Sequence, residues 1–329
     1  MRNVYAAGAD RWVRKIDASG AQVWESQPVS SALGSLAVDP QQNVYVGQAS
    51  TSPFGNIYKL DAAGTLLWTS PSFGQTARVN DLAVAGDGTV VAAYGDSVVR
   101  KLTAAGALLW EFTGHQSNIE ALAVAVDADG NVFSGAEDNL LKKIDPDGNE
   151  LWTATDHINS VRGIAVDAEG SVYSVSQAGF YKHDPAGSVV WQSTELGPSI
   201  GAFVDVNAAG ETVASTTNRV QRHDPDGVQL WQRGLVDSNG GEVPSAVIDP
   251  EGFVYAATVL REQTRQIAPD GSSFGWAFSG HTDAVLAVAV DPGKVGAFPD
   301  EWATFPTVYV GGHPVVAAYL GATPVSNLL

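Results

Sequence analysis

Apolar residues in this chain come in short runs, set apart by clusters of Gly, Asp, Asn, Pro and Ser. Residues 36–68 show the pattern once: Leu36-Ala-Val-Asp39, Val44-Tyr-Val-Gly47, Ile57-Tyr-Lys-Leu-Asp61 and Leu66-Leu-Trp68, with turn residues between the runs. Runs of this length bounded by turn formers predict strands joined by hairpins. The four-run unit then recurs: Trp24, Trp68, Trp110, Trp152, Trp191, Trp231 and Trp276 close successive units at intervals of 44, 42, 42, 39, 40 and 45 residues. A unit of that length with four short strands cannot bury both faces of its own sheet, so neighbouring units must cover them. The expected fold is all-β, a β-propeller of four-stranded antiparallel blades.

With the strands of each unit lettered a to d in chain order, the chain opens on runs of the b, c and d kind and then passes through six complete units. It ends with an a run near Leu286, a b run at 308–311 and a c run at 315–320. A blade shared between the two ends gives seven blades, and separate partial blades give eight. Seven is favoured, because the tryptophans number seven and sharing removes exposed sheet edges. Residues 1–329 are expected to form one propeller domain, with a non-repeat insertion at 292–306 and a short tail at 321–329.

The register is sharpest between c and d. A basic residue stands nine positions before the tryptophan in six units, at Lys15, Lys59, Lys101, Lys143, Lys182 and Arg222, and a glycine stands four before it in the same six. Asp follows the basic residue by two at Asp17, Asp61, Asp145, Asp184 and Asp224, which suggests charges paired on one side of strand c while Ile, Leu or His packs on the other. The unit ending at Trp276 reads as degenerate. A ring of basic residues would suit an anion, but the same residue in every repeat suits folding better. The tryptophans likewise read as packing between blades. In the a–b turns, such as Asp127-Ala-Asp-Gly130 and Asp167-Ala-Glu-Gly170, Asp and Gly read as turn formers. None has the alternating oxygen ligands of a calcium loop.

Composition narrows function mainly by exclusion. There are 36 acidic against 18 basic residues, a net charge of −18 that repels phosphate backbones, so no nucleic-acid partner is expected. The absence of Cys removes disulfides, thiolate metal sites and thiol nucleophiles together. No stretch approaches 18 consecutive apolar residues, so no membrane span is expected. The opening Met-Arg-Asn-Val-Tyr enters the repeat without the apolar segment of a signal peptide, which points to a cytoplasmic protein or one assembled into a virion.

The element in Asp145-Pro-Asp-Gly-Asn-Glu-Leu-Trp152 and Asp224-Pro-Asp-Gly-Val-Gln-Leu-Trp231 resembles the quinoprotein-type, or PQQ-type, β-propeller repeat, and the resemblance covers almost the whole chain. Two units also resemble WD40 blades, with Gly114-His115 and Gly280-His281 before strand a and Asp138 after Ser134-Gly135, although the closing Trp-Asp pair is absent. The resemblance implies a propeller, a fold that hosts binding scaffolds, lyases, hydrolases and dehydrogenases alike. The quinoprotein dehydrogenases often carry a vicinal disulfide over their cofactor. This Cys-free chain cannot form one, and no quinone or other cofactor is expected.

Candidate chemistry is sparse. His183 and His223 fill the slot held elsewhere by Ile or Leu in strand c, while His115, His157 and His281 all fall between d and a and would gather only if their loops fold inward. No nucleophile elbow, phosphate loop or His-Glu-x-x-His motif is present, so no catalytic or metal-binding residue is assigned. Departures from the repeat are better places for binding. The longest is the insertion at 292–306, whose Phe298, Trp302 and Phe305 stand beside Asp300 and Glu301; these residues either anchor a partner or fold back over the closing blade. Phe54 in the loop at 49–55, and Trp12, are further departures. The function expected is a non-enzymatic propeller serving as a protein-binding or structural module in a larger assembly, with a protein partner or further copies of itself. A virion decoration, spike or tail component is one form of this. The competing expectation is a small-molecule enzyme of lyase or quinoprotein type with its site at the central channel.

Overall fold

A computed structural model of the chain describes residues 3–29, 31–49, 55–74, 77–116, 118–176, 179–193, 203–216, 218–235, 243, 245–258, 263–290 and, as strands alone, 308–310 and 313–315. Seven antiparallel four-stranded sheets, each ordered a-b-c-d, are arranged so that every a strand touches the a strands of the blades before and after it. The ring is closed: the a strand Val285–Val290 meets Leu33–Val38 of the next blade. Blades 2 to 7 are built from consecutive strands, their a strands being Leu33–Val38, Val79–Val84, Ala121–Val126, Val161–Val166, Phe203–Val206 and Ala246–Ile248.

Blade 1 is made from both ends of the chain. Val4–Gly8, Val13–Ile16 and Gln22–Glu25 supply b, c and d, and Val285–Val290 supplies a, with Val4 opposite Val290 and Ala7 opposite Ala287. This is the shared blade, and it settles the count at seven. The two surplus strands, Val308–Val310 and His313–Val315, pair with each other outside the blades, and the first approaches the a strands of blades 3 and 4. The insertion at 292–306 and the tail at 321–329 lie outside the described residues.

Strand position dictates burial. The b strands, flanked by sheet on both edges and by blades on both faces, are buried throughout, as in Val44–Gln48 and Val90–Tyr94. Such strands need near-continuous apolar sequence, which is why they read as Val/Ala/Tyr runs. The d strands are the outer edges, and in Leu66–Thr69 only Trp68 escapes the exposed class. The core is correspondingly divided into clusters between neighbouring blades, such as Tyr5, Val13, Leu33 and Val44 between blades 1 and 2.

The tryptophan period has a direct structural cause. Each indole N–H donates to a backbone carbonyl in the c–d turn of the next blade: Trp24 to Ala62, Trp68 to Ala104, Trp110 to Pro146, Trp152 to Pro185, Trp191 to Pro225, Trp231 to Pro269 and, closing the circle, Trp276 to Ala18, all at 2.8–3.1 Å. The glycine four before the next tryptophan sits under the indole. A Cβ added at Gly187 would lie 2.9 Å from the Trp152 ring, and the backbone there has φ +89°, so the position needs glycine twice over. The unit read as degenerate keeps the same joint. Its turn is one residue longer, with Ala268 N–H bonded to Ser273, yet Gly271 still packs under Trp231.

Candidate functional site

The ring of basic residues is a structural feature. The hairpin register places each directly across from its tryptophan, as Lys143 opposite Trp152 and Lys182 opposite Trp191, which accounts for the nine-residue spacing. Four of the ammonium groups lie over the aromatic residue of strand b, among them Lys59 at 4.8 Å from the Tyr45 ring centre and Lys182 at 5.0 Å from that of Tyr173. Their acidic partners are not the Asp two residues on. Lys143 lies 3.7 Å from Asp127 and Lys182 4.0 Å from Asp167, both in the a–b turn. The Asp of strand c is taken by its own turn: Asp145 accepts the N–H groups of Asp147 and Asn149. Pairing along strand c is thus corrected to pairing between hairpins, because a turn with several free N–H groups is the nearer claimant for a carboxylate.

The three loop histidines do not come together; each is held by the blade that follows it. His115 bonds Asp138 through Nδ1 and Ser134 through Nε2, both at 2.9 Å. Burial raises the Asp138 pKa, but the hydrogen bond and charge of His115 together with the N–H groups of Gln116 and Leu140 outweigh it and hold the carboxyl below its usual value. His157 bonds Ser174 at 2.9 Å and stacks near Tyr181. His281 contacts Arg14 at 3.0 Å, beside Asp10. They act as clamps that fix each d–a crossing to its blade. Among the described residues no three His, Asp or Glu side chains are placed to hold a metal ion.

Burial sets the state of two imidazoles. His157 is pushed down to about 3, first by loss of water and then by the neighbouring His183. His223, packed 5.2 Å from the Phe180 ring, is pushed down to about 4 by burial against the weaker pull of Asp224. An unfolded histidine titrates near 6.5, so below that pH the unfolded chain binds more protons than the folded one. Stability is therefore full above about pH 6.5 and is lost as pH falls through the folded values, by on the order of a few kcal/mol. Urea midpoints at neutral and mildly acid pH check this. His223→Leu, which restores the residue type common at this position, is expected to flatten the dependence, and an unchanged slope contradicts the assignment.

The channel is walled by a strands, whose inner edges have no neighbouring strand to bond. Side chains supply acceptors instead: Asp81 takes the N–H of Val124 at 3.0 Å, and Asp205 that of Ile248 at 2.9 Å. Enclosure pushes the Asp81 pKa up to about 7, against the opposing hydrogen bonds from Val124 and Leu82. Asp81→Ala leaves a backbone donor unsatisfied and is expected to cost about 1–3 kcal/mol in a denaturant titration.

The exposed rim carries a feature that the tryptophan register concealed. The residue just before the tryptophan is the bulged one in the c–d pairing, and its side chain points outwards. It is aliphatic and about half exposed in six blades: Val23 53%, Leu67 52%, Leu109 51%, Leu151 54%, Val190 57% and Leu230 50%. In blades 2, 3 and 5 the residue before that, Leu66, Leu108 or Val189, is exposed too. Alternation about a half-buried tryptophan was the available signal. Phe54 and the partner-binding candidates Phe298, Asp300, Glu301, Trp302 and Phe305 lie outside the described residues, while Trp12 is partly buried at the b–c turn of blade 1.

Seven blades joined by a tryptophan docked on the glycine-bearing c–d turn of the next blade, Asp-x-x-Gly in five of them, define a propeller of the PQQ-repeat class. A family model of that class, described as the outer membrane protein assembly factor BamB, matches residues 9–135 and again residues 136–258, and the chain belongs to this family. Each match spans three tryptophan repeats. No curated protein matches the chain. Among the described residues no helix is long and apolar enough to cross a membrane.

Proposed function

We propose that the protein is a non-enzymatic, rigid binding module that docks other proteins within a larger assembly. The rim carries this reading. Strand Leu66–Thr69 is an uncharged sheet edge with two half-exposed leucines, lacking the Lys, Pro or inward charge with which solitary edges are blunted. Such an edge suits an added strand, whose backbone bonds to the free N–H and C=O groups while its side chains meet the aliphatic ones. The family's description as an assembly factor supports the same reading, as does the engagement of the loop histidines in holding their own blades. The insertion at 292–306 is a second proposed contact.

The test is association with partners isolated alongside the protein. Leu67→Lys with Leu109→Lys is expected to abolish a stoichiometric complex while changing stability by less than about 0.5 kcal/mol, as exposed positions allow. Reversal of charge at Asp300 and Glu301 with Trp302→Ala examines the insertion in the same assay. Complexes that survive both sets of changes contradict the proposal.

A further inference from the structure

Sevenfold regularity breaks down where the inner strands face the axis. Two successive positions there are Gly34 and Ser35 in blade 2, Asn80 and Asp81 in blade 3, Leu122 and Ala123 in blade 4, Arg162 and Gly163 in blade 5, and Leu286 and Ala287 in blade 1. The residues that follow are nearly invariant: Leu36-Ala-Val, Leu82-Ala-Val, Val124-Ala-Val, Ile164-Ala-Val and Val288-Ala-Val. Residues repeated in every blade serve the ring, whereas unlike residues at equivalent positions converge on something that lacks sevenfold symmetry. All of these unlike residues but Ala123 and Gly163 line an axial cavity of about 80 Å³, joined by Phe203 and Ser245 of the other two blades.

Arg162 stands out within it. The three fully buried arginines have acidic partners: Arg14 has Asp10 and Glu25, Arg100 has Asp96 and Glu111, and Arg222 has Glu211. Arg162 is partly buried and makes no hydrogen bond or ion pair among the described residues. Asp81 forms no ion pair with it; its two carboxyl oxygens accept the N–H groups of Leu82 and Val124. Ser35, also on the lining, is 4% exposed and its hydroxyl has no hydrogen-bond partner. Leu122, Leu286 and Phe203 form the apolar part of the wall.

We propose that this cavity is a binding site for a small carboxylate bearing a short apolar group, anchored by Arg162. The planar guanidinium fork matches a carboxylate with two parallel hydrogen bonds. The aliphatic and aromatic walls accept the apolar end. The site is independent of the rim and of the protein-binding reading.

Calorimetric titration of the full chain with propionate, acetate and inorganic phosphate, at constant ionic strength balanced with chloride, tests it. Saturable one-site binding is expected, tightest for propionate. Arg162→Gln is expected to weaken it at least about tenfold, the scale of a charge-assisted pair, without lowering the melting midpoint. Should that variant melt early, Arg162→Lys provides the second test: it keeps the charge, loses the fork and is expected to bind more weakly than wild type. No saturable binding up to about 20 mM, phosphate binding as tightly as propionate, or unaltered affinity in the Arg162 variants would overturn the proposal.

Discussion

Replacing Trp191 with alanine is expected to destabilise the protein by about 3–5 kcal/mol, the range for removing a large aromatic from a packed site. The indole meets Phe180 edge-on at 5.0 Å, lies 6.1 Å from Tyr173, and donates to Pro225 of the next blade at 3.1 Å. The partner surface is Gly227, where φ is +83° and an added Cβ would lie 2.8 Å from the indole. Gly227→Ala is accordingly expected to cost at least about 2 kcal/mol, combining left-handed backbone strain with overpacking. The double variant should lose less than the sum, because removing the indole relieves the clash. Denaturant titration of the four proteins measures this coupling. Strict additivity would mean that indole and glycine do not form one joint.

Removing residues 1–28 is expected to abolish the folded monomer. The deletion takes three strands from blade 1, leaves Val285–Val290 without its neighbour, and removes the turn at Ala18 and Gly20 on which Trp276 docks. Val4, Tyr5, Val13 and Ile16 are all fully buried. Burial of four such side chains contributes roughly 6–12 kcal/mol, comparable with the whole stability of an ordinary domain. Size-exclusion chromatography with circular dichroism should show aggregated or unfolded material. A folded monomer would show that the remaining blades close or stand without the shared one.

Much of the fold was legible because a propeller repeats its instructions. The Asp-x-x-Gly turns, the tryptophan spacing and the buried Val/Ala/Tyr runs each recur, so chance agreement is small, and Trp24 to Trp276 all perform the packing role expected of them. Pairing partners were less legible. Lys143 is near Asp145 in sequence but ion-pairs with Asp127, because a hairpin brings a distant turn closer than the chain does. The unit around Gly271 looked degenerate because one added turn residue spoils a spacing count without spoiling the joint. Surface roles were harder still. Leu67 and Leu109 read as ordinary strand residues until the bulge showed that they face outwards, and Arg162 became conspicuous only once five inner strands were aligned around one axis. The aromatic insertion drew attention in the sequence through Phe298 and Trp302, and it lies outside the described residues.

The central claim is that this propeller is a protein-docking module, and native mass spectrometry of the protein gently isolated with its associates tests it most directly. The account predicts a stoichiometric complex with protein partners or further copies, absent for the Leu67→Lys, Leu109→Lys variant. A monomer in both preparations would contradict it.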